Sequence, residues 1–104
     1  MYIFSIENLG DQKYQPIAIV KGSTIQSKNM FKDIGQGFKT MVGGELKSYT
    51  KMINEAREIA TQRMVEEAQK LGADAIIGVR YSSSTVVSGA AEILVTGTAV
   101  KFIG

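Results

Sequence analysis

The stretch from Gly43 to Tyr81, GGELKSYTKMINEAREIATQRMVEEAQKLGADAIIGVRY, constrains this chain most, because it writes a helix, its stop and the following strand in one run. From Glu45 onward, Leu46, Tyr49, Ile53, Ala56, Ala60, Met64, Ala68 and Leu71 recur at helical spacing and share one side of an α-helix. Both ends are marked. Gly44 can take the N-cap conformation, Glu45 complements the positive end of the helix dipole and Lys70 the negative end, and Gly72 suits the left-handed position after the last turn. One long amphipathic helix is predicted. Ala73 to Ser82 then reads as a strand, with Ile76 and Ile77 pointing to opposite faces.

The flanking segments supply further strands. Tyr2 to Ile6 is predicted as a short one, followed by the turn-rich NLGDQKYQP up to the only proline, Pro16, which opens a strand edge. In Ile17–Ile25, Ile17, Ile19, Lys21, Ser23 and Ile25 fall on one face, and Ala18, Val20, Gly22 and Thr24 on the other. Residues 26–44 place Met30, Ile34 and Phe38 at helical spacing, but Gly35 and Gly37 cost about 1 kcal/mol each in a helix interior, so a short helical turn inside an ordered loop is expected. Glu92 to Phe102 forms a last strand, and SSSTVVSGAA is read as a long hairpin connection with extra short pairing. Strand, helix, strand, strand makes an α+β sheet with its helix on one face.

Composition narrows the function classes. With 104 residues and 44% hydrophobic content the chain forms one domain, residues 1–104, with a single core. It has no Cys, so disulfides, thiolate ligands and a cysteine nucleophile are excluded. Its formal charge of +2, from 12 basic and 10 acidic residues mixed along the chain, gives no nucleic-acid footprint. Neither the N-terminal MYIFSIENLGD nor the apolar stretch after Ala90 has the length or the flanks of a membrane span or secretory signal. A cytoplasmic protein, with no membrane and no nucleic-acid partner, is expected.

Several segments together carry a family resemblance. The I-V-K-G-S-T strand, D-I-G-Q-G-F-K-T-M-V-G-G-E-L, the helix with E-A-R, the L-G-A-D-A-I-I-G-V-R exit and the final G-A-A-E-I-L-V-T-G-T-A-V-K resemble the YbjQ-like family of small bacterial proteins, which carries a provisional heavy-metal-binding label. The resemblance spans nearly the whole chain. It implies a two-layer fold with an antiparallel sheet packed on one helix, plus short extra strands, related to dodecin subunits, assembled as a ring and commonly as a pentamer. The function it implies is unassigned.

Chemistry-bearing residues are sparse. Zinc, copper and nickel sites are built from thiolate and imidazole, and this chain has neither Cys nor His, so only oxygen ligation by carboxylates such as Asp11, Asp33 and Asp74 remains open to a metal. No metal ligand set is assigned. The absence of His also removes Ser-His and Cys-His catalysis, and Ser82–Ser84 lack a lysine at the S-x-x-K spacing, so no catalytic residue and no cofactor is expected. A non-enzymatic protein follows. Gly43 and Gly44 would let backbone approach a ligand at the helix start, where Glu45 and the free N–H groups sit. With Lys28, Asn29, Asp33 and Lys39 they form the candidate site for a small anionic or polar molecule or a protein, against the plainer reading that the glycines only turn the chain.

Two arginines stand apart. Arg57 falls on the apolar side of the helix between Leu46 and Ala68, and Arg80 on the strand face with Ile76 and Gly78. Each calls for water or a carboxylate such as Glu92, from its own sheet or a neighbouring subunit, and ion pairing at a rim is favoured over anion recognition. Self-association is expected on separate grounds. One helix cannot cover both Ile76 and Ile77, and Met52 and Ile59 flank the main apolar stripe.

Overall fold

The computed structural model describes residues 1–27, 42–87 and 90–104. Its elements are β1 (Tyr2–Ile3), β2 (Tyr14–Ser27), α1 (Val42–Lys70), β3 (Ala75–Val87) and β4 (Ala90–Phe102). The strands form one sheet in the order β1-β3-β4-β2. Both β2 and β3 run antiparallel to β4, while β1 runs parallel to β3. The sheet is therefore mixed, and the predicted all-antiparallel sheet is corrected at this edge. Local periodicity gave β1 its strand character but held no information about its neighbour.

β2, β3 and β4 are longer than predicted, whereas β1 ends at Ile3, short of the predicted Ile6. β3 continues to Val87 and β4 begins at Ala90, so the stretch read as a long connection is mostly paired strand. Thr85 and Val87 sit opposite Ala91 and Ala90 in the ladder. Extended backbone preference and cross-strand pairing prevailed there over the polarity of the serine run. At about 3.3 Å per residue, the 13 residues of β3 and of β4 span about 43 Å. The 29-residue helix, at 1.5 Å per residue, is about as long. Pro16 lies inside β2, next to a register shift at Ile17, and it is tolerated because β2 is an edge strand.

The helix is already under way at Val42, so Gly43 and Gly44 lie within it and the predicted N-cap at Gly44 is corrected. Its other end follows the sequence signal. Gly72 has φ +76°, its N–H donates to the Gln69 carbonyl at 3.0 Å, and the Ala73 N–H donates to the Ala68 carbonyl at 3.1 Å. That pair of bonds is a Schellman ending, and only glycine takes such a φ without strain.

The core lies between α1 and one face of the sheet. Ala56, Ala60, Met64 and Ala68 pack on Val20, Ile76, Val79, Ile93, Val95 and Ala99. Small residues on the helix draw it close to the strands. Gly22 marks the tightest point, because a Cβ there would strike the Ala60 carbonyl oxygen and come within 2.6 Å of the Met64 nitrogen. The helix crosses mainly β2 and β4 and barely touches β3.

Ile77 does face away from the helix, as predicted, but the chain itself covers it. With Ala75 and Val100 it forms a second small cluster capped by Leu9, Tyr14 and Phe102. The N-terminal segment does this by pairing with β3 beyond β1. Phe4 N–H donates to the Ile76 carbonyl, Val79 N–H to the Phe4 carbonyl and Gly78 N–H to the Ile6 carbonyl, at 2.7–3.0 Å.

Candidate functional site

The away face of the sheet is built by simple alternation. In β2, Val20, Gly22 and Thr24 turn under the helix, which forces Ile19, Lys21, Ser23 and Ile25 to the other side. Their cross-strand partners in β4 are Thr98, Thr96, Leu94 and Glu92. At one end of this face the N-terminal segment covers Ile77; over the rest, nothing among the described residues lies on it. Ile19 is left 77% exposed and Ile25 56% exposed. Two β-branched apolar side chains so open to water contrast with Val20, Ile93 and Val95, which are buried under the helix on the other face.

Arg80 also lies on the away face. The sequence placed it with Ile76, but Gly78 takes φ +63° and the β3–β4 register shifts between Ile77 and Arg80, so the alternation slips by one residue. Ile76 and Val79 face the helix, and Arg80 sits opposite Thr96 on the other side. There it reaches the rim: its guanidinium lies 3.5 Å from a Glu7 carboxylate oxygen and donates to the Ser5 carbonyl at 2.7 Å and the Val79 carbonyl at 2.9 Å. These contacts tie the N-terminal segment to the bulge. Both side chains are well exposed, so the pair orients more than it stabilises.

On the helix side, a depression of about 1080 Å³ opens where α1 leaves β3 uncovered. Ile3, Val65 and Tyr81 supply apolar surface, and Glu58, Gln62 and Glu66 rise along the helix. The Tyr81 hydroxyl and Thr61 Oγ1 share a hydrogen bond of 2.7 Å that pins β3 to the helix at this level. Arg63, which also lines the depression, donates to the Ser23 carbonyl at 2.6 Å, pinning β2. Periodicity analysis missed both polar ties, since a helix wheel gives no hint of which strand lies under each flank.

The predicted site residues fall as follows. Lys28, Asn29, Asp33 and Lys39 lie outside the described residues. Gly43, Gly44 and Glu45 have helical backbone. Arg57 is exposed rather than held in the apolar stripe, with its guanidinium donating to Asn54 Oδ1 at 3.3 Å. Glu92 is on the away face of β4, across the sheet from the helix, so the two are not brought together within one chain. Among the described residues no three His, Cys, Asp or Glu side chains come together in a group that could hold a metal ion. No described helix is long and apolar enough to cross a membrane.

These features define a small α+β protein, one helix laid on a mixed four-stranded sheet. A solved structure from Pediococcus pentosaceus, a protein of unknown function in the DUF74 family, has the same fold: TM-score 0.70, covering 99% of this chain and 98% of that one, at 17% identity. The chain belongs to the YbjQ-like family, whose model, described as "Putative heavy-metal-binding", matches residues 1–103. Among its relatives are UPF0145 proteins from Clostridium novyi, 56% identical, and Alkaliphilus metalliredigens, 59% identical; each match covers 99% of this chain and 100% of the relative. A UPF0145 protein from Thermus thermophilus is 58% identical over 84% of this chain and 76% of its own length.

Proposed function

We propose that this protein acts as a closed homo-oligomer, a non-enzymatic cytoplasmic ring that presents its 26–44 segments as a binding surface. The bare sheet face carries this reading. Enclosing Ile19 and Ile25 within an assembly of copies removes apolar surface from water, worth about 1.5–3 kcal/mol for each fully buried Ile, and a ring repeats that gain in every subunit. The family resemblance suggests five subunits. Around such a ring, Lys28, Asn29, Asp33 and Lys39 would recur with the rotation, offering a small anionic or polar ligand, or a protein, several equivalent contacts.

Light scattering across a concentration series tests the assembly. A single closed species at micromolar concentration is expected, and a stable monomer there overturns the reading. Thermal-shift screening with phosphate-bearing metabolites tests the surface: a hit that persists unchanged in Lys39→Ala places the ligand elsewhere.

The family label suggests a second reading, a metal protein using oxygen ligands. The donor set does not suit zinc, copper or nickel, since the chain has no His and no Cys, and the described carboxylates do not converge. Only a hard cation held by carboxylates would fit such residues. Elemental analysis after dialysis separates the readings: neither a transition metal nor calcium or magnesium is expected to approach one per chain, and either one doing so would favour the metal reading.

A further inference from the structure

We infer that copies of this chain join edge to edge, the outer edge of β2 in one copy adding in parallel to residues 80–87 of β3 in the next. This rests on the closed-oligomer reading and says how that oligomer is built.

The inference starts from backbone groups. β4 is central and bonds on both sides, but β2 uses only one side, and its outer N–H and C=O groups have no strand partner among the described residues. β3 is bonded on its outer side by the N-terminal segment only as far as Val79. From Arg80 to Val87 that side has no strand partner among the described residues. Exposed edges of this length template pairing with another chain unless proline, a bulge or a covering segment blunts them.

Both edges are blunted at the same end of the sheet. On β2 the devices are Pro16 and the irregularity at Ile17; on β3 they are β1 and the bulge at Gly78. The register through β4 puts these at one level, since Pro16 and Ala75 both pair with Val100. At the other end, Lys21 and Arg80 both pair with Thr96, Ser23 and Ser82 with Leu94, and Ser27 and Val87 with Ala90. The two open stretches, 21–27 and 80–87, thus lie at matching heights on opposite sides of one sheet. One strand edge fits the other after a rotation, which is the condition for a heterologous, ring-closing contact.

Direction follows from topology. β2 and β3 are each antiparallel to β4, so they run the same way. Rotation about a ring axis preserves a strand's sense along that axis, so the new junction is parallel.

The helix layer agrees. α1 lies over β2 and β4, and the depression beside Ile3, Val65 and Tyr81 is the space over β3 that it leaves open. A β2 arriving at β3 brings its own helix toward that space. The depression there mixes the apolar surface of Val65 and Tyr81 with charges of both signs, Arg57 and Arg63 beside Glu58 and Glu66.

The absence of cysteine in the chain makes a clean test. Ser23→Cys is combined with Ser82→Cys or, one register along, with Ser84→Cys, and each double variant is oxidised and run without reductant. Within one chain the paired positions sit two strands apart, about 10 Å, beyond the reach of a disulfide, so every cross-link joins copies. One double variant should give a covalent ladder ending at the ring number, while the single variants stay uncross-linked. If light scattering shows the wild type to be a monomer, the oligomer reading itself fails. If the wild type is oligomeric but neither double variant cross-links, or Ser23→Cys alone gives dimers, the edge junction is wrong and the oligomer stands.

Discussion

The two faces of this sheet come from the same strands, yet one is a core and the other is open. Under the helix, β2 offers Val20, Gly22 and Thr24, all buried, and the helix answers with alanines and Met64. On the reverse, one residue out of step, Ile19 and Ile25 stand in solvent beside Lys21 and Ser23. The difference teaches that hydrophobicity did not choose the core here. Size did: the face that accepts a helix is the one with small residues, and the larger isoleucines were left for something else to cover.

The sharpest way to break this contrast is Gly22→Val. Any Cβ at that position meets the helix backbone itself, at Ala60 and Met64, and backbone cannot swing aside. A loss of about 3 kcal/mol or more, the scale of severe overpacking, is expected in urea unfolding, with little soluble native protein recovered. A loss below 1 kcal/mol would mean that the helix is not seated on Gly22.

Met64→Ala comes next. Met64 is among the largest completely buried side chains of the described residues, and truncating it should cost about 2–4 kcal/mol through lost transfer energy and a residual cavity. Gly78→Ala should cost about 1–2 kcal/mol, because the left-handed backbone at the bulge strains any residue with a Cβ. Space is not the obstacle there, since only Glu7 Cγ lies near, at 3.8 Å. Refitting Gly78→Asn should recover part of the loss, asparagine being the better occupant of that region. Equal losses for both variants would count against backbone strain as the cause.

The smallest effect on the fold is expected on the open face. Ile19→Ser should change the stability of the dissociated chain by no more than about 0.5 kcal/mol, as for other exposed sites, while shifting light scattering toward smaller species. A large loss of intrinsic stability would show that this face is covered within one chain, and the contrast between faces would collapse.

Much of the left-to-right order was legible in the sequence. The helix register and its stop at Gly72 could be read because period and left-handed glycine are local signals. So could the split of β2 into two faces. The fate of those faces could not be read, because it depends on which strand the helix lies over, and that is a matter of long-range packing. Arg80 was assigned to the wrong face for a related reason: a single bulge at Gly78 inverts everything after it, and alternation carries no warning of it. Ile77 seemed to need a partner subunit, but Leu9 and Tyr14 already cover it. Of the candidate site, the residues before Val42 were chosen on composition, whereas the Thr61–Tyr81 and Arg63–Ser23 ties needed the fold to be seen.

The placement of β2 also bears on how the chain assembles itself in time. The helix and the β3–β4 hairpin are neighbours in sequence and can form early, whereas β2, made before them, must return across the whole molecule to lie along β4, with Tyr14 against Phe102 and Ser27 against Ala90. Non-local pairing of that kind is slow, because loop closure comes before its reward. Until it happens the far edge of β4 stays unoccupied. Two chains ripening side by side could each lend the other that strand, so the growing protein has a route to intertwined dimers that crowding and rapid synthesis would favour.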